Sequence, residues 1–125
     1  MSRHRGTIHT SKWVATDDGI TWPKIPTVIQ GAGGPITVRL ARRIVYNRTT
    51  WWGDWNAHTR VVRIDRAAPI AHQWRTLFHE LAHAALTDSG LAYLFSEDGN
   101  EALCDAVATA RIVEMRAQLI AAVAG

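Results

Sequence analysis

The sequence predicts an α+β fold, a small, twisted, mostly antiparallel sheet packed on two helices, and two observations carry that reading. Residues 27 to 65 break into short β-branched and aromatic runs separated by turn residues. Residues 69 to 119 carry two long patterns of apolar residues at three- and four-residue steps, as helices with buried faces do. A chain of 125 residues with 47% hydrophobic content is large enough for one core and too small for a second, so residues 1–125 are expected to form a single domain.

Residues 1 to 22 read as a weakly ordered start. Strands are expected at Thr27 to Gln30 and Ile36 to Leu40, on either side of a turn from Gly31 to Pro35. Ile44 to Tyr46 reads as a further strand. Trp51 to Trp55 and Val61 to Asp65 are expected to pair as a hairpin with residues 56 to 59 as its loop. The glycine-rich turn lacks the spacing of a phosphate-binding loop and leads into no helix, so it is read as a turn. All four prolines fall outside the two helical patterns, and no internal repeat is present.

The first helix is expected to start near Pro69, whose missing N–H is harmless in a first turn, and to stop at Asp88-Ser89-Gly90. Trp74, Leu77, Phe78, Leu81, Ala82, Ala85 and Leu86 give it a broad apolar face. On this helix lies His79-Glu80-Leu81-Ala82-His83. Residues four apart stand one turn apart on the same face, so both imidazoles can reach one metal ion. Glu80, one step round the helix, is placed to touch a water at that ion, where a general base is needed. The competing reading makes His79 and His83 hydrogen-bonded core histidines and Glu80 a solvated acid.

A catalytic zinc site has three protein ligands and one open position, so the motif lacks one ligand. No histidine follows His83, which leaves Asp88, Glu97, Asp98, Glu101, Cys104 and Asp105 as candidates. Glu101 is the preferred ligand. It opens the second helical pattern and shares a face with Asp105 one turn on, which can accept the free ring N–H of one metal-bound histidine and so fix its tautomer. The lone Cys104 has no partner for an internal disulfide and reads as a small buried residue, or as an alternative zinc ligand.

At these positions the chain resembles the gluzincin zinc peptidases, in which one helix carries paired histidines and a later helix supplies a glutamate. His79, Glu80 and His83 fall on the first motif; Glu101 and Asp105 fall on the glutamate and aspartate of the second. Together with its small size, the Arg60–Asp65 strand and the Asn100-Glu-Ala-Leu-Cys-Asp-Ala-Val segment look most like the compact ImmA/IrrE peptidases, which occur often in phages and mobile elements. The resemblance covers roughly residues 50 to 115, and no separate helix-turn-helix or sensor domain accompanies it. It implies a minimal zincin-like fold, one Zn²⁺ per chain, and hydrolysis of a polypeptide substrate with Glu80 as general base. It also implies that the strand ending at Asp65 is an edge on which an extended substrate adds, with Trp51, Trp52 and Trp55 lining a pocket. For a second donor to the oxyanion, Tyr93, lying between the two motifs, is the first candidate; His72, Tyr46 and nearby arginines are others. Otherwise Tyr93 packs the connector Leu91 to Phe95 onto the core.

The net charge of +3 is uneven: residues 1–66 hold 11 Lys/Arg against 4 Asp/Glu, and residues 67–125 hold 3 against 7. The acidic half is the one with the proposed metal ligands, whose charge a divalent cation offsets. In the basic half, Arg39, Arg42, Arg43, Arg48, Arg60, Arg63 and Arg66 interleave with Trp51, Trp52 and Trp55, a pattern that also suits nucleic acid. The bland reading makes them solvated strand sides and core cover. No run approaches a membrane span and no hydrophobic signal segment follows Met1, so a cytoplasmic protein is expected, in the host cytoplasm if phage-encoded. Three functions follow. A zinc peptidase leads, and a zinc-stabilised interaction module without catalysis and a nucleic-acid binder are the alternatives. Manganese or cobalt can replace zinc at such a donor set.

Overall fold

A computed structural model describes residues 15–124. Six strands precede two helices: β1 (Val28–Gly31), β2 (Gly34–Ala41), β3 (Ile44–Tyr46), β4 (Thr49–Trp51), β5 (Gly53–Asn56), β6 (Val61–Asp65), α1 (Ile70–Asp88) and α2 (Glu97–Ala124), with a 3₁₀ turn at Ala92–Leu94 between the helices. The main sheet has the order β1-β2-β6-β5. Only β2 and β6 run parallel within it; β1 with β2 and β5 with β6 are antiparallel, and β3 and β4 form a separate hairpin. The architecture is therefore the α+β one expected, with a mostly antiparallel sheet.

The expected hairpin of Trp51 to Trp55 with Val61 to Asp65 is present in its later part as β5 and β6, with Trp55 opposite Val62, while Trp51 belongs to β4 and pairs with Ile44, and Asn56 of the expected loop closes β5. The edge expected at β6 is not present. β6 pairs with β2 on one side and β5 on the other, so all its main-chain positions lie inside the sheet. The open edge on this side belongs to β5. The reason is the excursion through β3, β4 and β5, which lets β6 return beside β2 while β5 folds back over the outer side of β6.

Alternation on the strands places Ile36, Val38, Trp55, Val62 and Ile64 on one face, where they pack with Leu77 and Ala84 of α1. A second cluster joins α1 to α2 through Ala71, Phe78, Ala108 and Ile112, with Ala15 and Trp22 added from the chain before β1. Helix α1 thus lies between the sheet and α2, which explains why eleven of its residues are buried. The segment expected to be weakly ordered falls partly outside the described residues, at 1–14. Its remainder packs: Ala15 and Trp22 are buried, and Asp17 Oδ1 accepts the Ala71 N–H at 2.8 Å, satisfying a free donor of the first turn of α1.

At its other end α1 is tied to the sheet. Asp88 pairs with Arg60 at 2.7 Å and accepts the Gly33 N–H at 2.9 Å. A β-carbon at Gly33 would stand 2.7 Å from Asp88 Oδ1, so a larger residue there would push the carboxylate from its place. The left-handed Gly90 (φ +73°) ends the helix as the sequence suggested.

Candidate metal centre

Each functional side chain is placed by the antiparallel contact of α1 with α2. One residue per turn of α1 faces one residue per turn of α2, and three rungs result. His83 meets Glu101, with Nε2 2.8 Å from Oε1. His79 meets Asp105, with Nδ1 2.9 Å from Oδ1. Arg75 meets Thr109, with Nη2 3.3 Å from Oγ1, and also lies 3.5 Å from Asp105 Oδ1. Spacings of four on both helices make this possible, because each step of four returns to the same face.

The first two rungs converge. His79 Nε2 stands 3.1 Å from His83 Nε2 and 3.4 Å from Glu101 Oε2, and ligand atoms of His79, His83 and Glu101 all lie within 4.8 Å of one another. Donors about 2.0 Å from a tetrahedral zinc stand about 3.3 Å apart, close to the 3.1 Å between the two Nε2 atoms and to the 2.8 and 3.4 Å that separate the two Glu101 oxygens from them. Its chemistry fits as well. With Nδ1–H of His79 directed at Asp105, Nε2 points into the cluster beside that of His83 and a carboxylate oxygen, and in the neutral ring it is a lone-pair donor that a cation can take in place of the proton.

Burial is nearly complete on the α1 side: His79 is 1% exposed, His83 6% and Glu80 0%. Burial works against a charged His79 ring. The hydrogen bonds to Asp105 and Glu101 and the charges of Glu80 and Glu101 outweigh it, raising the ring to about 9. Burial likewise opposes ionisation of Asp105, but the His79 hydrogen bond and the charges of His79 and Arg75 hold it below the usual carboxylate range. Glu80 goes the other way. Enclosure pushes it well above an ordinary glutamate, and the carboxylates of Glu101, Asp54 and Asp105 add to the shift against the opposing His79.

Glu80 faces the start of β5, and the close approach there depends on Gly53. A β-carbon at Gly53 would lie 3.7 Å from Glu80 Cγ, but only 2.5 Å from Thr76 Cγ2 and 2.7 Å from the Arg63 carbonyl oxygen. A small cavity of about 60 Å³ opens beside the cluster, lined by His83, Leu86, Thr87, Ala92, Glu97, Asn100 and Glu101.

Of the other acids considered as a third ligand, none joins the cluster. Asp88 is engaged by Arg60 at the far end of α1, and Glu97 and Asp98 are exposed in the first turn of α2. Asp105 binds His79 on the side away from the other donors. Cys104 is fully buried, and burial with the neighbouring carboxylates pushes its thiol up to about 12, against the thiolate that a metal needs.

The oxyanion candidates fare differently from expectation. Tyr93 is 81% exposed on the 3₁₀ turn and does not line the cavity. Nor does it pack the connector, whose Leu91, Leu94 and Phe95 are also exposed; among the described residues no layer lies above this three-residue helical turn to bury them. Burial and the Arg75 charge pull His72 down to about 4, and its Nδ1 accepts the Ala15 N–H at 3.1 Å, so the ring is neutral at pH 7. Tyr46 and Arg63 are held by Asp54, which receives Tyr46 Oη at 3.1 Å and Arg63 Nε at 2.9 Å.

The tryptophans do not form the expected pocket or stacking surface. Trp51 and Trp55 are 6% and 1% exposed, and Trp55 belongs to the main core, because β5 alternation turns its ring towards α1. Trp52 is half-buried edge-on against His72. Arg39, Arg42, Arg43, Arg48 and Arg66 are exposed, whereas Arg60 and Arg63 pair with Asp88 and Asp54.

Sequence reasoning overlooked Arg75, Thr109, Asp54 and Asp17. For the first two a signal existed: Arg75 precedes His79 by four and Thr109 follows Asp105 by four. Asp54 stands opposite Arg63 in the β5–β6 hairpin, a cross-strand charge pair that the hairpin register carries, whereas Asp17 acts across the fold and has no local signature. Among the described residues no helix is long and apolar enough to cross a membrane. Comparison of the chain with protein-family models, with curated proteins and with solved structures gives no match.

Proposed function

We propose that the chain is a zinc-dependent metallopeptidase that hydrolyses peptide bonds of a protein substrate, with His79, His83 and Glu101 as metal ligands and Glu80 as general base. The observation that carries this is the convergence of two imidazole nitrogens 3.1 Å apart with one carboxylate from the second helix, whose Oε1 stands 2.8 Å from His83 Nε2 and whose Oε2 stands 3.4 Å from His79 Nε2. The gluzincin resemblance supports it, because that family also takes its third ligand from a glutamate on the later helix. A divalent ion held there would supply Lewis acidity, acidifying water and polarising a carbonyl.

The protein's own contribution centres on Glu80. Its carboxylate accepts the proton of the attacking water and returns it to the leaving amine nitrogen. The enclosure that raises its proton affinity makes it a better acceptor than an exposed glutamate and lets it hold the proton between the two transfers. Asp105 keeps the His79 ring in the Nδ1–H tautomer.

Elemental analysis beside an assay on an unfolded protein such as casein tests the proposal. One zinc per chain is expected in the wild type, with loss in His83→Ala and Glu101→Ala. Glu80→Gln is expected to keep the metal and lose cleavage by about 10²–10⁴-fold. A wild type that takes up no metal when zinc is supplied refutes the reading. Zinc bound without any Glu80-dependent cleavage favours the interaction-module alternative.

A further inference from the structure

We infer that Arg75 is a positioning residue for the metal centre, acting through Asp105. This rests on the metal-site reading above and extends it to the third rung of the α1–α2 ladder. The side chain of Arg75 is 4% exposed, an expensive place for a guanidinium unless its surroundings use the charge. Its Nη2 reaches Asp105 Oδ1 at 3.5 Å and Thr109 Oγ1 at 3.3 Å. The same Asp105 oxygen takes the His79 Nδ1–H at 2.9 Å.

The arrangement matters because Asp105 is not enclosed. Its side chain is 27% exposed, so water competes for the carboxylate, and a rotation about its own bonds would carry Oδ1 off His79. Arg75 pulls on that oxygen from the buried side, one helical turn before His79, and Thr109 holds the guanidinium from the next turn of α2. Oδ1 is thereby kept facing α1, where it fixes the His79 ring with Nε2 towards His83 and Glu101. Charge points the same way. Glu101 and Asp105 bring two carboxylates to this end of the helix pair, and Arg75 is a buried cation directly beside Asp105.

Partners that orient a ligand in this manner typically change metal affinity by about 10- to 100-fold. Zinc affinity of the full chain, measured by competition with a chromophoric chelator, is compared for the wild type, Arg75→Met, Asp105→Asn and the double variant. Thermal unfolding of each metal-free protein is followed in parallel. Both single variants are expected to bind zinc at least tenfold more weakly, and the double variant no more weakly than Asp105→Asn alone, because Arg75 acts only through Asp105. Arg75→Lys, which keeps a donor and the charge, is expected to recover part of the loss. Wild-type affinity in Arg75→Met overturns the inference, as does a double variant in which the two losses multiply. Should Arg75→Met not fold, Thr109→Val gives the same comparison, with a smaller loss that again must vanish beside Asp105→Asn. A wild type with no zinc affinity overturns the metal-site reading itself, a result distinct from both.

Discussion

Replacing Gly53 by alanine adds one methyl group where β5 meets α1. The new carbon would stand 2.5 Å from Thr76 Cγ2 and 2.7 Å from the Arg63 carbonyl oxygen. Ordinary contact is about 3.5–4.0 Å, so β5 and α1 must separate by about 1 Å or the carbon must sit well inside both neighbours. Thr76 cannot swing clear easily, being 2% exposed on a helix buried on two sides. Arg63 contributes backbone from the middle of β6, which pairs on both sides. Overpacking of this kind costs about 1–3 kcal/mol. At about 2 kcal/mol, the melting temperature of a domain this size falls by roughly 6–12 °C. Calorimetry on the metal-free protein reads the change. Thr76→Ser in the same chain removes the Cγ2 contact and is expected to recover part of the loss, leaving the Arg63 contact in place. Gly53→Ala melting with the wild type would refute the claim that glycine is required for the approach of β5 to α1.

Other perturbations test other parts of the fold and site. In the metal-free protein His79 titrates at about 9 against 6.5 for a free ring. A raised pKa means that its contribution to stability is complete below about pH 6.5 and is lost as pH rises through 9. The urea midpoint is therefore expected to fall over that window, with a smaller fall in His79→Gln; an unchanged slope in the variant would contradict the assignment. Tyr93→Phe should leave zinc content and turnover as they are, since its ring lies outside the site; a tenfold drop in turnover at full zinc content would bring Tyr93 back into the mechanism. Asp17→Ala removes the acceptor for the Ala71 N–H and should destabilise the fold by about 1 kcal/mol, read from chemical denaturation, with no loss expected if the first turn of α1 is satisfied otherwise.

The readable parts of this molecule are those in which cause and effect lie within a few residues of each other. The four-residue spacing of His79 and His83 requires one helix face, Gly90 stops that helix, and alternation sets the strands of the β5–β6 hairpin. Glu101 and Asp105 are legible for the same reason, as two acids one turn apart on one face of a helix. Arg75 and Thr109 carried the same spacing signal and were passed over because an arginine and a threonine are not metal ligands.

Sequence by itself determined the α+β class, the two helices, the face that carries His79, Glu80 and His83, and the separation of a basic from an acidic half. These follow from backbone periodicity and from charge, which need no knowledge of what packs against what. Tertiary structure decided that β6 is interior and β5 the edge, that Trp51 and Trp55 are core residues, and that Tyr93 is exposed. It also decided that Glu101, rather than Asp88 or Cys104, meets the histidines. Each of these depends on the order of strands or the register of two helices. Strand order and helix register are set by the sum of many weak contacts across the whole core, which no short stretch of sequence contains.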